Sequence, residues 1–119
     1  MTLLILHCTQ RSAWGAAIER GAYTAASLAT DGFIHFSKPE QILGSANRFY
    51  RGQSDLVLLC VDADRLLAKV VHENLEGGTV LFPHVYGPVN LDAVTAVVDF
   101  PCEADGTFRL PAAVAEMTA

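Results

Sequence analysis

Four histidines, His7, His35, His72 and His84, each fall at or beside the end of a segment with strand character. Imidazole is the side chain that exchanges a proton near neutral pH, so histidines gathered at strand ends are candidates for acid–base work. His35 lies in Gly32-Phe33-Ile34-His35-Phe36-Ser37, and His84 in Phe82-Pro83-His84-Val85-Tyr86-Gly87-Pro88. Alternate side chains of an extended chain share a face, which sets Phe33, His35 and Ser37 opposite Ile34 and Phe36. Ile34 and Phe36 read as the core side, and His35 then faces either a cleft or a second layer. Two uses are open to it: a polar ligand's partner, or a half-buried histidine bonded to a backbone carbonyl. In the second motif Pro83 and Gly87-Pro88 constrain the backbone, and Phe82, His84 and Tyr86 share one face. Such a face can stack a planar ring and hydrogen-bond to it, as in nucleobase or nicotinamide pockets. It equally suits a rigid turn with two aromatic core anchors.

Other chemistries have weaker signatures. His72 and Glu73 are strand neighbours on opposite faces, so only one of them should reach a cleft. Arg11, Arg48 and Arg51 are candidate phosphate partners, or solvated helix-surface arginines. A metal site would have to draw on His7, His35, His72, His84 and Glu73, since imidazole and carboxylate suit zinc or iron. No HxH or HxxxH pair occurs, and no metal is expected. Cys8 and Ser37 are conceivable nucleophiles, but no G-x-S-x-G elbow is present. Neither GxGxxG nor a Walker phosphate loop occurs.

The elements that must hold these residues can be read from pattern. Leu3 to Cys8 is strand-like, and Thr9 can cap a helix over Gln10 to Arg20, ended by Gly21. Tyr23 to Thr30 reads as a surface connection, and Phe33 to Phe36 as a short strand. Ser37-Lys38-Pro39-Glu40 matches a capping box, which would place His35 just before a helix N-terminus. That helix sets Ile42, Leu43, Ala46, Phe49 and Tyr50 on one face and closes at Gly52. Leu56 to Val61 is continuously apolar, as in a strand covered on both faces. Asp64 to Leu67 suggests one helical turn. Val70 to Glu73, Val80 to Phe82 and Val94 to Phe100 are further strands, and Asp105-Gly106 a late hairpin turn. Two early helices followed mostly by strands predict an α+β domain.

At 119 residues the chain fits one domain, 1–119, with 110–119 expected as a loosely ordered tail. Hydrophobic residues make up 51% and charged residues 18%, enough for a packed core. The net charge of −5 argues against a protein that grips duplex DNA, though one cationic pocket can still take a nucleotide. Cys8, Cys60 and Cys102 are scattered without a CxxC and read as reduced structural thiols in a cytoplasmic protein. The apolar start lacks a basic flank and reads as a strand, and no run reaches the ~18 apolar residues of a membrane span.

With its two histidine motifs, the sequence resembles a bacterial family catalogued as domain of unknown function 952. Trp14, Tyr23, Ser27-Leu28, Gln41, Asn47-Arg48-Phe49-Tyr50, Leu56-Val57-Leu58-Leu59, Glu73 and Leu91-Asp92-Ala93-Val94 extend the likeness over almost the whole chain. That family is similar, more remotely, to the ADP-ribosyltransferase-like fold, in particular to RNA 2′-phosphotransferases. The resemblance implies a split, bent β-sheet with two N-terminal helices and a nicotinamide dinucleotide cleft between the halves. It implies NAD as substrate, with His7 on one ribose hydroxyl, and His35 on the other ribose or the leaving nicotinamide. A third motif position would fall near His84 and Tyr86. Catalytic roles would fall to His35, His7 and His84. Cofactor contacts would come from His7, His35, Ser37, Phe82, His84, Tyr86 and Tyr23. The sequence departs from the pattern in lacking a clear catalytic glutamate, Glu73 being the nearest candidate, and an arginine cluster for RNA phosphate. The expected activity is transfer or hydrolysis of ADP-ribose, acceptor open. A non-catalytic nucleotide-binding module with the same His–aromatic pocket and a metal-dependent enzyme are the alternatives.

Overall fold

The computed structural model describes residues 3–118. Its organising element is the apolar run predicted as a doubly covered strand. Leu56–Asp62 forms β4, and all seven of its residues are buried. A strand with apolar side chains on both faces needs a layer on each side. Leu58 and Cys60 pack into one core with Ile42, Phe100, Phe108 and Val114. Val57, Leu59 and Val61 pack into the other with Ile34, Phe36, Val85 and Val89.

Around β4 the topology is antiparallel. β1 (Leu4–Gln10) and β8 (Val94–Asp99) flank it in a three-stranded sheet of order β1-β4-β8. A second three-stranded sheet has the order β3-β6-β5, from Ile34–His35, Phe82–Tyr86 and Lys69–Glu73. β2 (Ala22–Tyr23) and β7 (Val89–Asn90) form a two-stranded ribbon. The two larger sheets meet at one bridge, where Leu6 and Ser37 exchange backbone hydrogen bonds of 2.8 Å. The chain is a compact α+β domain of mixed helices and antiparallel sheets, and among the described residues no helix is long and apolar enough to cross a membrane.

Short helices fill the connections. α1 spans Arg11–Arg20, α2 Ala26–Thr30, α3 Ile42–Phe49 and α4 Ala112–Met117. Gly21 ends α1 at φ 91°, a left-handed conformation that glycine adopts without steric cost. Several sequence expectations fail here for identifiable reasons. Thr9 does not cap α1: it continues β1, and its hydroxyl meets Tyr23 instead. Residues 23–30 are not a surface connection, since Tyr23 is buried in β2 and α2 follows it. Ser37 caps no helix; its hydroxyl donates to Ser45 3.1 Å away, while Gln41 takes over the turn by accepting from the Lys38 amide. α3 therefore begins at Ile42, five residues past Ser37, and His35 does not abut its N-terminus. Phe49 lies exposed rather than on the buried face, and Tyr50 rather than Gly52 closes α3. Val80 and Leu81 precede β6 instead of starting it. Residues 112–117, expected within a loose tail, form α4, with Val114 fully buried.

Candidate functional site

The two histidine motifs converge because β3 and β6 are antiparallel neighbours. His35 and His84 are direct partners across that ladder, as are Ile34 and Val85. Residues opposite one another project to the same face. Ile34 and Val85 fill the core at no exposure, and the two imidazoles emerge together on the other side. Their ring centroids stand 5.4 Å apart at 75°. Phe33 stacks on His84 at 4.1 Å and 18°, and holds the ring in one plane.

The next strand supplies a carboxylate. In the β5–β6 register Glu73 faces Phe82, one diagonal step from His84 on the same face. His84 Nδ1–H donates to Glu73 Oε2 over 2.8 Å, and the Tyr86 hydroxyl donates to the same oxygen. These bonds, first from Tyr86 and then from His84, hold the Glu73 carboxyl below its usual range, and the carboxylate in turn raises Tyr86. Every buried side-chain nitrogen and oxygen among the described residues has a partner. His84 Nε2 makes no hydrogen bond, so it is not among the enclosed atoms, and His84 lines the cleft with a side chain 7% exposed. A carboxylate fixing Nδ1–H leaves Nε2 as a lone pair, the arrangement of an oriented general base. His35 has a similar partner: its Nε2 lies 3.2 Å from Asp31 Oδ2, on a side chain 58% exposed.

His7 is differently placed. It is buried on β1, where Nδ1 lies 2.6 Å from the backbone oxygen of His35 and Nε2 lies 2.7 Å from the Tyr23 hydroxyl. A carbonyl only accepts, so Nδ1 carries the proton. Burial lowers the His7 pKa to about 4, leaving a neutral ring whose Nε2 accepts from Tyr23. The Tyr23 oxygen, 3.0 Å from Thr9 Oγ1, then receives the threonine proton. Both His7 nitrogens are committed to the protein, and the chain Thr9–Tyr23–His7–His35 ties β1 to β2 and β3.

These groups line one cleft of about 890 Å³, which takes in His7, His35, His84, Glu73, Tyr23, Ser37, Phe33 and Phe82. Its size suits a large ligand, near the upper end of the ~300–1,000 Å³ usual for small-molecule sites. Tyr86 does not line it. Its ring borders a separate groove of about 420 Å³ beside Gly87 and Pro88, and only its hydroxyl reaches Glu73. His72, on the opposite face to Glu73 as alternation requires, is absent from the cleft lining. Arg11 pairs with Asp55 and Asp99 on the surface, Arg51 lies away from the cleft, and Arg48 alone of the three borders it. Cys8 reaches the wall, but burial pushes its thiol up to about 12, which leaves it a poor nucleophile. No group of three or more His, Cys, Asp or Glu among the described residues is placed to hold a metal ion.

Sequence reasoning missed the tie between Glu73 and His84, and Asp31 behind His35. The first depends on a strand register that no local pattern encodes. The second had a signal, the four-residue spacing of Asp31 and His35.

A family model described as protein of unknown function, DUF952, matches residues 8–97. The chain is also similar to solved structures of protein CC0527 from Caulobacter crescentus. The crystal structure is 38% identical, covers 94% of this chain and 98% of that one, and superposes with a TM-score of 0.85. The crystal structure of a double mutant, at 37% identity and the same coverage, gives 0.84. The solution NMR structure, at 38% identity, covers 91% and 93% and gives 0.80. No curated protein matches the chain.

Proposed function

The chain belongs to the DUF952 family of proteins of unknown function, and from that premise we propose that its cleft binds NAD as a substrate and transfers or hydrolyses the ADP-ribose. The observation that carries this reading is the His84 imidazole, backed by an ionised Glu73, open at Nε2 and facing His35 across 5.4 Å. Phe82, part-exposed on the cleft wall, offers stacking surface for nicotinamide or adenine, and the buried rings of Phe33 and Tyr23 back that wall. The two sheets, joined at a single bridge and flanking one cleft, are also compatible with the split sheet of the ADP-ribosyltransferase-like fold.

In this reading the bond from ribose C1′ to the nicotinamide nitrogen breaks, and its electron pair leaves with nicotinamide. Positive charge builds on the ribose, where the fixed negative charge of Glu73 stabilises it more than it stabilises the neutral ground-state sugar. His84 Nε2 takes the proton from an attacking water or acceptor hydroxyl as the new C1′–O bond forms. His35, the exposed member of the pair, contacts the second ribose or the departing ring. His7, with both nitrogens engaged inside the protein, is a positioning residue that sets the His35 backbone. These steps call on no metal ion.

Calorimetric titration with NAD, ADP-ribose and nicotinamide, followed by chromatographic detection of released nicotinamide, tests the reading. We expect NAD to bind, and nicotinamide release to fall about 100-fold or more in His84→Ala, the usual scale of a lost general base. Turnover should survive EDTA. Absence of binding by all three at millimolar concentration would overturn the proposal. Binding without release over hours, with a panel of acceptors present, would reduce it to a nucleotide-binding module.

A further inference from the structure

The cleft walls carry three carboxylates, Glu40, Glu73 and Glu76, against a single Lys or Arg among the described residues, Arg48. A nucleotide phosphate entering this space meets repulsion from all of them except at that one guanidinium. Arg48 projects from α3 at the rim, where its Cζ lies 4.8 Å over the Phe49 ring. Stacking of this kind holds the planar group in place without using its N–H donors. Its only ionic partner among the described residues is Glu76, with Nη1 and Oε2 at 3.8 Å and both side chains largely exposed. A pair at that distance in solvent contributes close to nothing. The donors of Arg48 are therefore available, and they are the cationic ones on the cleft wall, whereas two of the neighbouring amides already have a donor engaged. Gln41 Nε2 donates to the Leu81 carbonyl, and Asn74 Nδ2 to that of Val80.

Glu76 itself is held at the rim by the loop it rides on. Asn74 Oδ1 accepts from the amides of Glu76 and Gly78, which fixes the turn that carries the carboxylate toward Arg48. The cleft thus has a carboxylate near the place where a phosphate would bind the guanidinium, and a phosphate binds it better. Arginine's fork matches two phosphate oxygens at once, with bonds about twice as strong as neutral ones.

We propose that Arg48 is the phosphate-binding residue of the cleft, taking the phosphate or pyrophosphate of a nucleotide, and that the Glu76 carboxylate beside it opposes that phosphate by its charge. The inference rests on the proposed nucleotide reading and adds which end of the cleft receives the charged half of the ligand. Titration of the wild type, Arg48→Gln and Glu76→Gln with adenosine, AMP, ADP-ribose and NAD separates the two. Arg48→Gln should weaken AMP, ADP-ribose and NAD at least about tenfold, the loss of one charge-assisted hydrogen bond, and leave adenosine unchanged. Glu76→Gln should tighten the three phosphate ligands. Both side chains are solvent-facing, so circular dichroism and melting should confirm intact folds. If the wild type binds NAD and Arg48→Gln binds it equally well, the Arg48 assignment is overturned and the nucleotide reading stands. If adenosine weakens along with the phosphates, Arg48 shapes the pocket rather than binding phosphate, and the assignment is again overturned. A wild type that binds none of the four overturns both.

Discussion

Bonding, more than burial, divides the work among the cleft histidines: His7 and His84 are 7% and 6% exposed, but His7 has both ring nitrogens bonded within the protein and His84 only Nδ1. His7 also makes the fold acid-sensitive. Its native pKa of about 4 lies below the ordinary 6.5, so the unfolded chain takes up a proton first as pH falls. The contribution of neutral His7 is thus complete above pH 6.5 and is lost progressively as pH drops to 4. Roughly 2 to 3 kcal/mol disappears between about pH 7 and about pH 4.5. Urea unfolding at the two pH values should show this loss in the wild type and a much smaller one in His7→Asn. Glu73, depressed by its bonds to Tyr86 and His84, adds loss in the same direction at lower pH, through the carboxylate range. A parallel decline in wild type and His7→Asn would assign the acid sensitivity to other groups.

Strands decide where these side chains meet, and not all strands announce themselves in sequence. β6 is legible only in part: the strand expected over Val80 to Phe82 shares one residue with Phe82–Tyr86, and the Pro83 to Pro88 segment also reads as a rigid turn. β1 and β4 are legible because long apolar runs have few other fates. β2 is illegible for the opposite reason. Two residues, Ala22 and Tyr23, become a strand only because Asn90 and Val89 pair with them from far along the chain. Ser37 misleads because its local spacing to Glu40 is right for a cap, yet its backbone is already taken by Leu6. The His84–Glu73 pair is likewise hidden, since eleven residues separate them and only the β5–β6 register joins them. That register depends on a close approach at the end of β6. A Cβ placed on Gly87 would stand 2.9 Å from the Cβ of Ala68. Gly87→Ala should therefore force β6 and the segment before β5 apart, at a cost of about 1–3 kcal/mol, as overpacking generally does. Urea unfolding measures the cost, and the Glu73 carboxyl, held low by its bonds to Tyr86 and His84, should titrate higher by NMR as that spacing relaxes. Wild-type stability in Gly87→Ala would mean that the contact is not constraining.

For the molecule as a whole, a net charge of −5 and a cleft with three carboxylates and one arginine make ligand binding a balance of small terms. Stacking and the fit of the cleft must supply most of the affinity, and the single cation mostly the choice between charged and uncharged ligands. The consequence is measurable without knowing the reaction. A ligand that binds only the folded state stabilises it by mass action, about 2.7 kcal/mol at a concentration roughly 100 times its Kd. For a domain of this size, about 1 kcal/mol moves the melting temperature by about 4 °C, so NAD at that excess should raise it by roughly 10 °C. Salt should act weakly. Screening at physiological ionic strength reaches over a Debye length of about 8 Å, and attraction to Arg48 and repulsion from the neighbouring carboxylates are screened together. A melting shift that survives from low to moderate salt is therefore expected for NAD, in contrast to the steep salt loss of a polyanion held by many cations. A shift that vanishes at moderate salt would mean that nonspecific charge, and not the aromatic and histidine walls of the cleft, holds the nucleotide.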